Sequence, residues 1–86
     1  MNNTNTEFLI QDKLIRMQLT DIRKSKHLTQ KQMSEISGLS TSCISNIESG
    51  ENNSPTLRSL IRYASALDVN IFIGKDENIN LLSKEQ

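Results

Sequence analysis

One cysteine, one histidine, no run of eighteen apolar residues and no excess of either charge set the first limits on this 86-residue chain. A lone Cys43 cannot close an internal disulfide, and it reads as a small reduced side chain. A metal site needs several clustered cysteines, histidines or carboxylates, and no such cluster is written in the sequence, so no metal or cofactor is expected. The absence of a long apolar run excludes a membrane-spanning helix. Residues 1–6 (Met-Asn-Asn-Thr-Asn-Thr) lack the basic and apolar parts of a secretory signal, so the chain is expected in the cytoplasm. His27 has no cysteine or carboxylate arrangement beside it and there is no glycine-rich phosphate loop. Asp76-Glu77 reads as a polar turn, and catalysis is the poorest reading.

What is present is a single small domain, 35% hydrophobic, with ten basic and ten acidic side chains. A chain this short buries only about 60% of the surface its unfolded form exposes. With the usual covalent staples missing, association with a second copy is the stabilising device that remains. Net neutrality would argue against a nucleic-acid partner, since phosphate binding is driven largely by Lys and Arg. The charges are segregated, however. Residues 1–31 carry six basic side chains (Lys13, Arg16, Arg23, Lys24, Lys26, Lys31) against three acidic ones, and the remainder carries four against seven.

Periodicity then places the elements. Ile15, Leu19 and Ile22, spaced four and three, mark one face of a first helix, with Leu28 beyond it. Phe8-Leu9-Ile10 either extends this helix from Thr6 or forms an arm ahead of Asp12. Thr29 and Gln32 match a capping box opening a second helix, on which Met33 and Ile36 follow at helical spacing. Gly38 stops that helix. After Leu39, Ser40 offers a new N-cap to a third helix, with Ile44 and Ile47 inward and Gly50 at its end. Two short helices separated by Gly38-Leu39-Ser40 are the pattern of a helix-turn-helix. Ser54 and Pro55 are expected to open a fourth helix with a buried stripe of Leu57, Leu60, Ile61, Ala64 and Leu67. Val69-Asn70-Ile71-Phe72-Ile73 changes the pattern to that of a strand. It either folds back on Ile79-Asn80-Leu81-Leu82 as a hairpin or pairs with its copy in a second subunit, and the small core agrees with the second arrangement.

The run Leu28-Thr29-Gln30, Met33, Gly38-Leu39-Ser40 and Ile44-Ser45-Asn46-Ile47-Glu48-Ser49-Gly50 resembles the core of the Xre, or lambda-repressor-like, family of DNA-binding regulators. The resemblance covers about residues 12 to 68, and from Thr29 onward the chain is most similar to the HipB-type antitoxins, which end in a strand that pairs across a dimer. It implies a mainly α fold: a four-helix lambda-repressor-like domain at 12–69, behind an arm at 1–11, followed by a C-terminal β-strand segment at 70–82 and a tail at 83–86.

The third helix would then lie in the major groove. Thr41, Ser42 and Asn46 would contact base edges, Asn46 by a bidentate amide to adenine, with Ser45 on the flank. Ser45 and Asn46 also have the plainer reading of solvated helix surface. Gln30 would meet a phosphate at a helix N-terminus, with Lys31 and Lys26 adding charge. Ser49, Asn53, Ser54 and Thr56 would meet the backbone on the other side, where Glu51 stands in place of the family's common basic residues. Arg23 and Glu48 fall where an ion pair commonly joins the first and third helices. Ile71, Phe72 and Ile73 would carry dimerisation. The partners implied are a double-stranded DNA operator, a second copy of the chain and, for an antitoxin, a HipA-like kinase toxin. A repressor without a toxin partner, or a protein whose main role is to bind another protein, are the other readings.

Overall fold

The computed structural model describes residues 2–50 and 54–72, which form four helices: α1 (Asn2–Ser25), α2 (Gln30–Ser37), α3 (Thr41–Ser49) and α4 (Leu57–Ala66). Of the two alternatives for Phe8-Leu9-Ile10, the structure has the helical one, and α1 runs unbroken for 24 residues, about 36 Å. Its inward line is Leu19 with the charged Arg16 and Arg23, while Ile22 is half-buried and Ile15 is exposed.

The short helices begin and end where their side chains dictate. The Thr29 hydroxyl accepts from the Gln32 backbone N–H at 3.0 Å, and the Gln32 side chain accepts from the Thr29 N–H at 2.9 Å, a complete capping box. Gly38 ends α2 at φ 78°, a left-handed conformation that costs an L side chain about 1–2 kcal/mol. The turn is closed by side chains. Ser34 donates to the Leu39 carbonyl at 2.5 Å, and the buried Ser37 hydroxyl accepts from the Leu39 N–H at 3.1 Å. Ser40 then caps α3 through the Cys43 N–H, and Gly50 ends it in the left-handed region.

Two helix ends use residues other than glycine. His27 (φ 61°) and Asp68 (φ 64°) are left-handed. At each, the next residue's N–H reaches back to the helix, Leu28 to the Arg23 carbonyl and Val69 to the Ala64 carbonyl, which makes both ends Schellman motifs.

The core is Leu19, Met33, Ile44, Ile47, Tyr63, Ala64 and Leu67. Three expectations need correction. The cap of α4 is Thr56, whose hydroxyl accepts from the Ser59 N–H at 3.0 Å, so Ser54 and Pro55 precede the helix. Leu57 (65% exposed) and Ile61 (47%) face outward, and the buried line of α4 runs through Tyr63, Ala64 and Leu67. Ile36 is likewise exposed, because α2 turns its Met33–Ser37 line inward, one turn apart on the same face.

No strand occurs among the described residues. Val69 and Ile71 are half-buried against the core while Asn70 and Phe72 are exposed, the alternation a strand would show but without a ladder partner. Ile73 and the Ile79-Leu82 segment lie outside the described residues.

Candidate nucleic-acid interface

The geometry of α3 is set from its inner side. Ile44 and Ile47 are fully buried, and the carboxylate of Glu48, one residue on, is the meeting point of all four helices. Arg23 of α1 donates to it twice, from Nε at 2.6 Å and Nη2 at 2.9 Å. Gln30 of α2 donates from Nε2 at 3.0 Å, and the Tyr63 hydroxyl of α4 donates a short hydrogen bond to Oε2. The ion pair's side chains are only 9% and 7% exposed. Arg23 also donates to the carbonyl of Leu28, so the same guanidinium ties down the turn leading into α2.

This environment moves three titrations. Burial pushes the Glu48 carboxyl up, but the hydrogen bonds from Arg23, Tyr63 and Gln30, with the Arg23 charge, together outweigh it and hold the group below the ordinary carboxylate range. Arg23 is raised by its hydrogen bonds to Glu48 against the opposing effect of burial. Burial and the Glu48 carboxylate raise the Tyr63 phenol, which therefore stays a donor.

A second arginine holds the other end of α3. Arg16, 2% exposed, donates from Nε to the Ile47 carbonyl at 3.0 Å and from Nη2 to the Asn46 carbonyl at 2.5 Å, while Nη1 pairs with Asp12 at 2.8 Å. These carbonyls belong to the last turn of a helix, where backbone donors run out and the Ser49 hydroxyl adds only one bond, to the Asn46 carbonyl at 3.2 Å, and a guanidinium there also complements the negative end of the helix dipole. In the sequence Arg16 shows only as one of six basic charges in residues 1–31. The spacing Asp12–Arg16 was the available sign of an i, i+4 pair, but nothing local marks that pair as buried.

With α3 fastened at Glu48 and at its C-terminal carbonyls, its other side is left to solvent. Thr41, Ser42, Ser45 and Ser49 are exposed. Asn46 is half-buried, with its backbone carbonyl held by Arg16 of α1, so Ser45 occupies the more open position of the two. Gln30 and Lys31 are exposed at the N-terminus of α2, where the first backbone N–H groups of a helix lack intrahelical acceptors. One amide hydrogen of Gln30 is held by Glu48, which orients the side chain and leaves the other hydrogen for a further acceptor. Ser54 and Thr56 are exposed ahead of α4; Asn53 lies outside the described residues. Ile71 is half-buried and Phe72 is 83% exposed. They sit with Ile15, Leu19, Ile22 and Val69 around an apolar groove of about 330 Å³, remote in the chain from α3.

Two short helices joined by a glycine-containing turn, with the second fastened inward and presenting a polar outer side, define a helix-turn-helix DNA-binding domain. A helix-turn-helix family model matches residues 19–73, and the chain belongs to that family, the Xre-like group of DNA-binding regulatory domains. Neither the curated proteins nor the solved structures gave a match.

Proposed function

We propose that the protein is a sequence-specific transcriptional repressor that binds a two-fold-related operator as a homodimer. The observation that carries this reading is the division of α3 into an anchored inner side and an open polar outer side. Thr41, Ser42, Ser45 and Asn46 are the base-reading set, with hydroxyls and an amide suited to major-groove edges. Gln30 and Lys31 on one side, and Ser49, Asn53, Ser54 and Thr56 on the other, contact phosphates and fix the register. Two half-sites one helical turn apart, about 34 Å, follow for a two-fold dimer. The apolar groove beside Ile71 and Phe72 is consistent with pairing through the segment that also contains Ile73.

Selection of duplexes from a randomised pool by the native protein, followed by footprinting, tests the reading. Enrichment of an inverted repeat is expected, and an Asn46→Ala or Ser45→Ala variant should relax preference at one half-site position at a cost of about 1–3 kcal/mol. Failure to enrich any sequence would end the repressor reading. Phe72→Asp should shift the mass in light scattering toward the monomer.

A second reading is favoured by one feature of α1. Ile10, Leu14 and Met17, spaced four and three, are 49–52% exposed on the side away from the core. Such an unpartnered stripe suits a protein partner, as in a HipB-type antitoxin bound to a kinase toxin. Co-purification of a stoichiometric partner from the native cell, lost in Leu14→Glu, separates this reading from a repressor acting alone.

A further inference from the structure

Residues 32–57 contain no lysine or arginine, and they contain Glu35, Glu48 and Glu51. The reading helix and the loop after it therefore bring no positive charge of their own to a polyanion. Of the cations packed against α3 from α1, Arg23 is engaged by Glu48, and Arg16 by Asp12 and two carbonyls. Lys13 differs from both. It is exposed, and its aliphatic stem lies over Gly50, immediately beyond the last residue of α3: a Cβ built on Gly50 would stand 3.7 Å from Lys13 Cε and 4.0 Å from Cγ. The adjacent Asp12 carboxylate is turned to Arg16, at 2.8 Å.

We propose that Lys13 is a DNA-phosphate ligand, the cation that α1 lends to the C-terminal end of the reading helix at Ser49-Gly50. This inference rests on the DNA-binding reading above. The physical logic is that of a long amphipathic side chain: the stem is laid on a glycine that offers no side chain to obstruct it, and the ammonium is carried past the end of α3. Backbone contacts are needed on both flanks of a reading helix to fix its register. One flank has Lys31 at the α2 N-terminus. On the other, Ser49, Ser54 and Thr56 are neutral and the next cation along the chain is the exposed Arg58 in the first turn of α4, so Lys13 is the cation set directly against the end of α3 itself.

The competing role for Lys13 is structural, as a cation complementing the negative end of the α3 dipole. Salt dependence separates the two, because each neutralised phosphate contributes about 0.9 to the slope of log K against log salt. The probe is a mixed-sequence duplex of about 30 base pairs, long enough for two half-sites a turn apart. Binding is measured by fluorescence anisotropy across a salt series for the full chain, Lys13→Gln and Lys13→Arg.

The expected result is a slope shallower by about 0.9 per bound subunit in Lys13→Gln, weaker binding at low salt on every sequence, an unchanged thermal midpoint, and recovery of slope and affinity in Lys13→Arg. An unchanged slope in Lys13→Gln while the wild-type chain binds DNA overturns the inference and leaves the DNA reading standing. So does a lowered thermal midpoint with the slope retained, which assigns Lys13 to the helix end. Absence of any salt-dependent binding by the wild-type chain overturns both.

Discussion

Replacing Glu48 with Ala would leave the Arg23 guanidinium, in a residue 7% exposed, without its bidentate carboxylate, and the buried Tyr63 hydroxyl without its acceptor. Removing one partner of a buried ion pair costs about 3–5 kcal/mol, because the other charge stays desolvated. An unsatisfied hydroxyl adds about 1–3 kcal/mol, and since both losses share one site they do not add fully. A net loss of about 4 kcal/mol is expected, against a total stability of order 4–13 kcal/mol for a chain of this length. The measurement is urea unfolding followed by circular dichroism. Replacing both members by apolar residues of similar size, Arg23→Met with Glu48→Met, removes the stranded charge, so the double variant should lie well above Glu48→Ala in stability.

The same node has a pH signature. The folded carboxyl lies below its ordinary value of 4.5, so its contribution is complete above that pH and is lost as pH falls through the folded value. The wild-type chain should therefore lose stability below about pH 4.5 along a limb that Glu48→Ala lacks. A Glu48→Ala loss under about 1 kcal/mol, or a double variant as unstable as the two single losses added together, would refute the account of Glu48 as the junction of the four helices.

Further outcomes concern the helix ends. Arg16→Met keeps the packing volume but leaves the Ile47 carbonyl without its side-chain donor and the Asn46 carbonyl with only the Ser49 hydroxyl, and should cost about 1–3 kcal/mol. Hydrogen exchange should show faster amides in the last turn of α3 and near-normal ones in α2; uniform loosening would count against a local role. Gly38→Ala should cost about 1–2 kcal/mol from its positive φ. The added methyl would also approach Arg62 Nη1 at 3.3 Å, so the thermal midpoint should recover little when Arg62 is shortened as well if backbone strain dominates. His27→Gly should raise stability by about 0.5–1 kcal/mol, since glycine adopts the left-handed end of α1 without the steric penalty. A lower midpoint would show that the His27 side chain contributes something its exposure does not suggest.

The starts of α2 and α3 were legible because they depend on residues three apart in the chain. Thr29 with Gln32, and Ser40 with the Cys43 N–H, act within one turn, and Gly38 and Gly50 stop their helices through their own backbones. The end of α1 was less plain, since a histidine occupies the left-handed position there. The sequence opens the fourth helix two residues early because Ser54-Pro55 and Thr56 are both competent openings, and in the fold it is the Thr56 hydroxyl that takes the Ser59 N–H. Tyr63 escaped notice for a similar reason: its burial depends on an acceptor fifteen residues away, Glu48. Six basic side chains fall in residues 1–31, and which of them face solvent is decided only by packing: Arg16 and Arg23 point inward, which leaves Lys13, Lys24, Lys26 and Lys31 exposed. The Arg23–Glu48 pair implied by the family resemblance is present as expected.

The way α3 is fastened has a consequence for how such a protein can change its target. Its attachments are Ile44, Ile47, the Glu48 carboxylate and two backbone carbonyls, and the carbonyls are indifferent to which side chain the residue bears. Thr41, Ser42 and Ser45 take no part in them. New lettering can therefore be written at these positions, one residue at a time, while the type on the reverse of the block stays set.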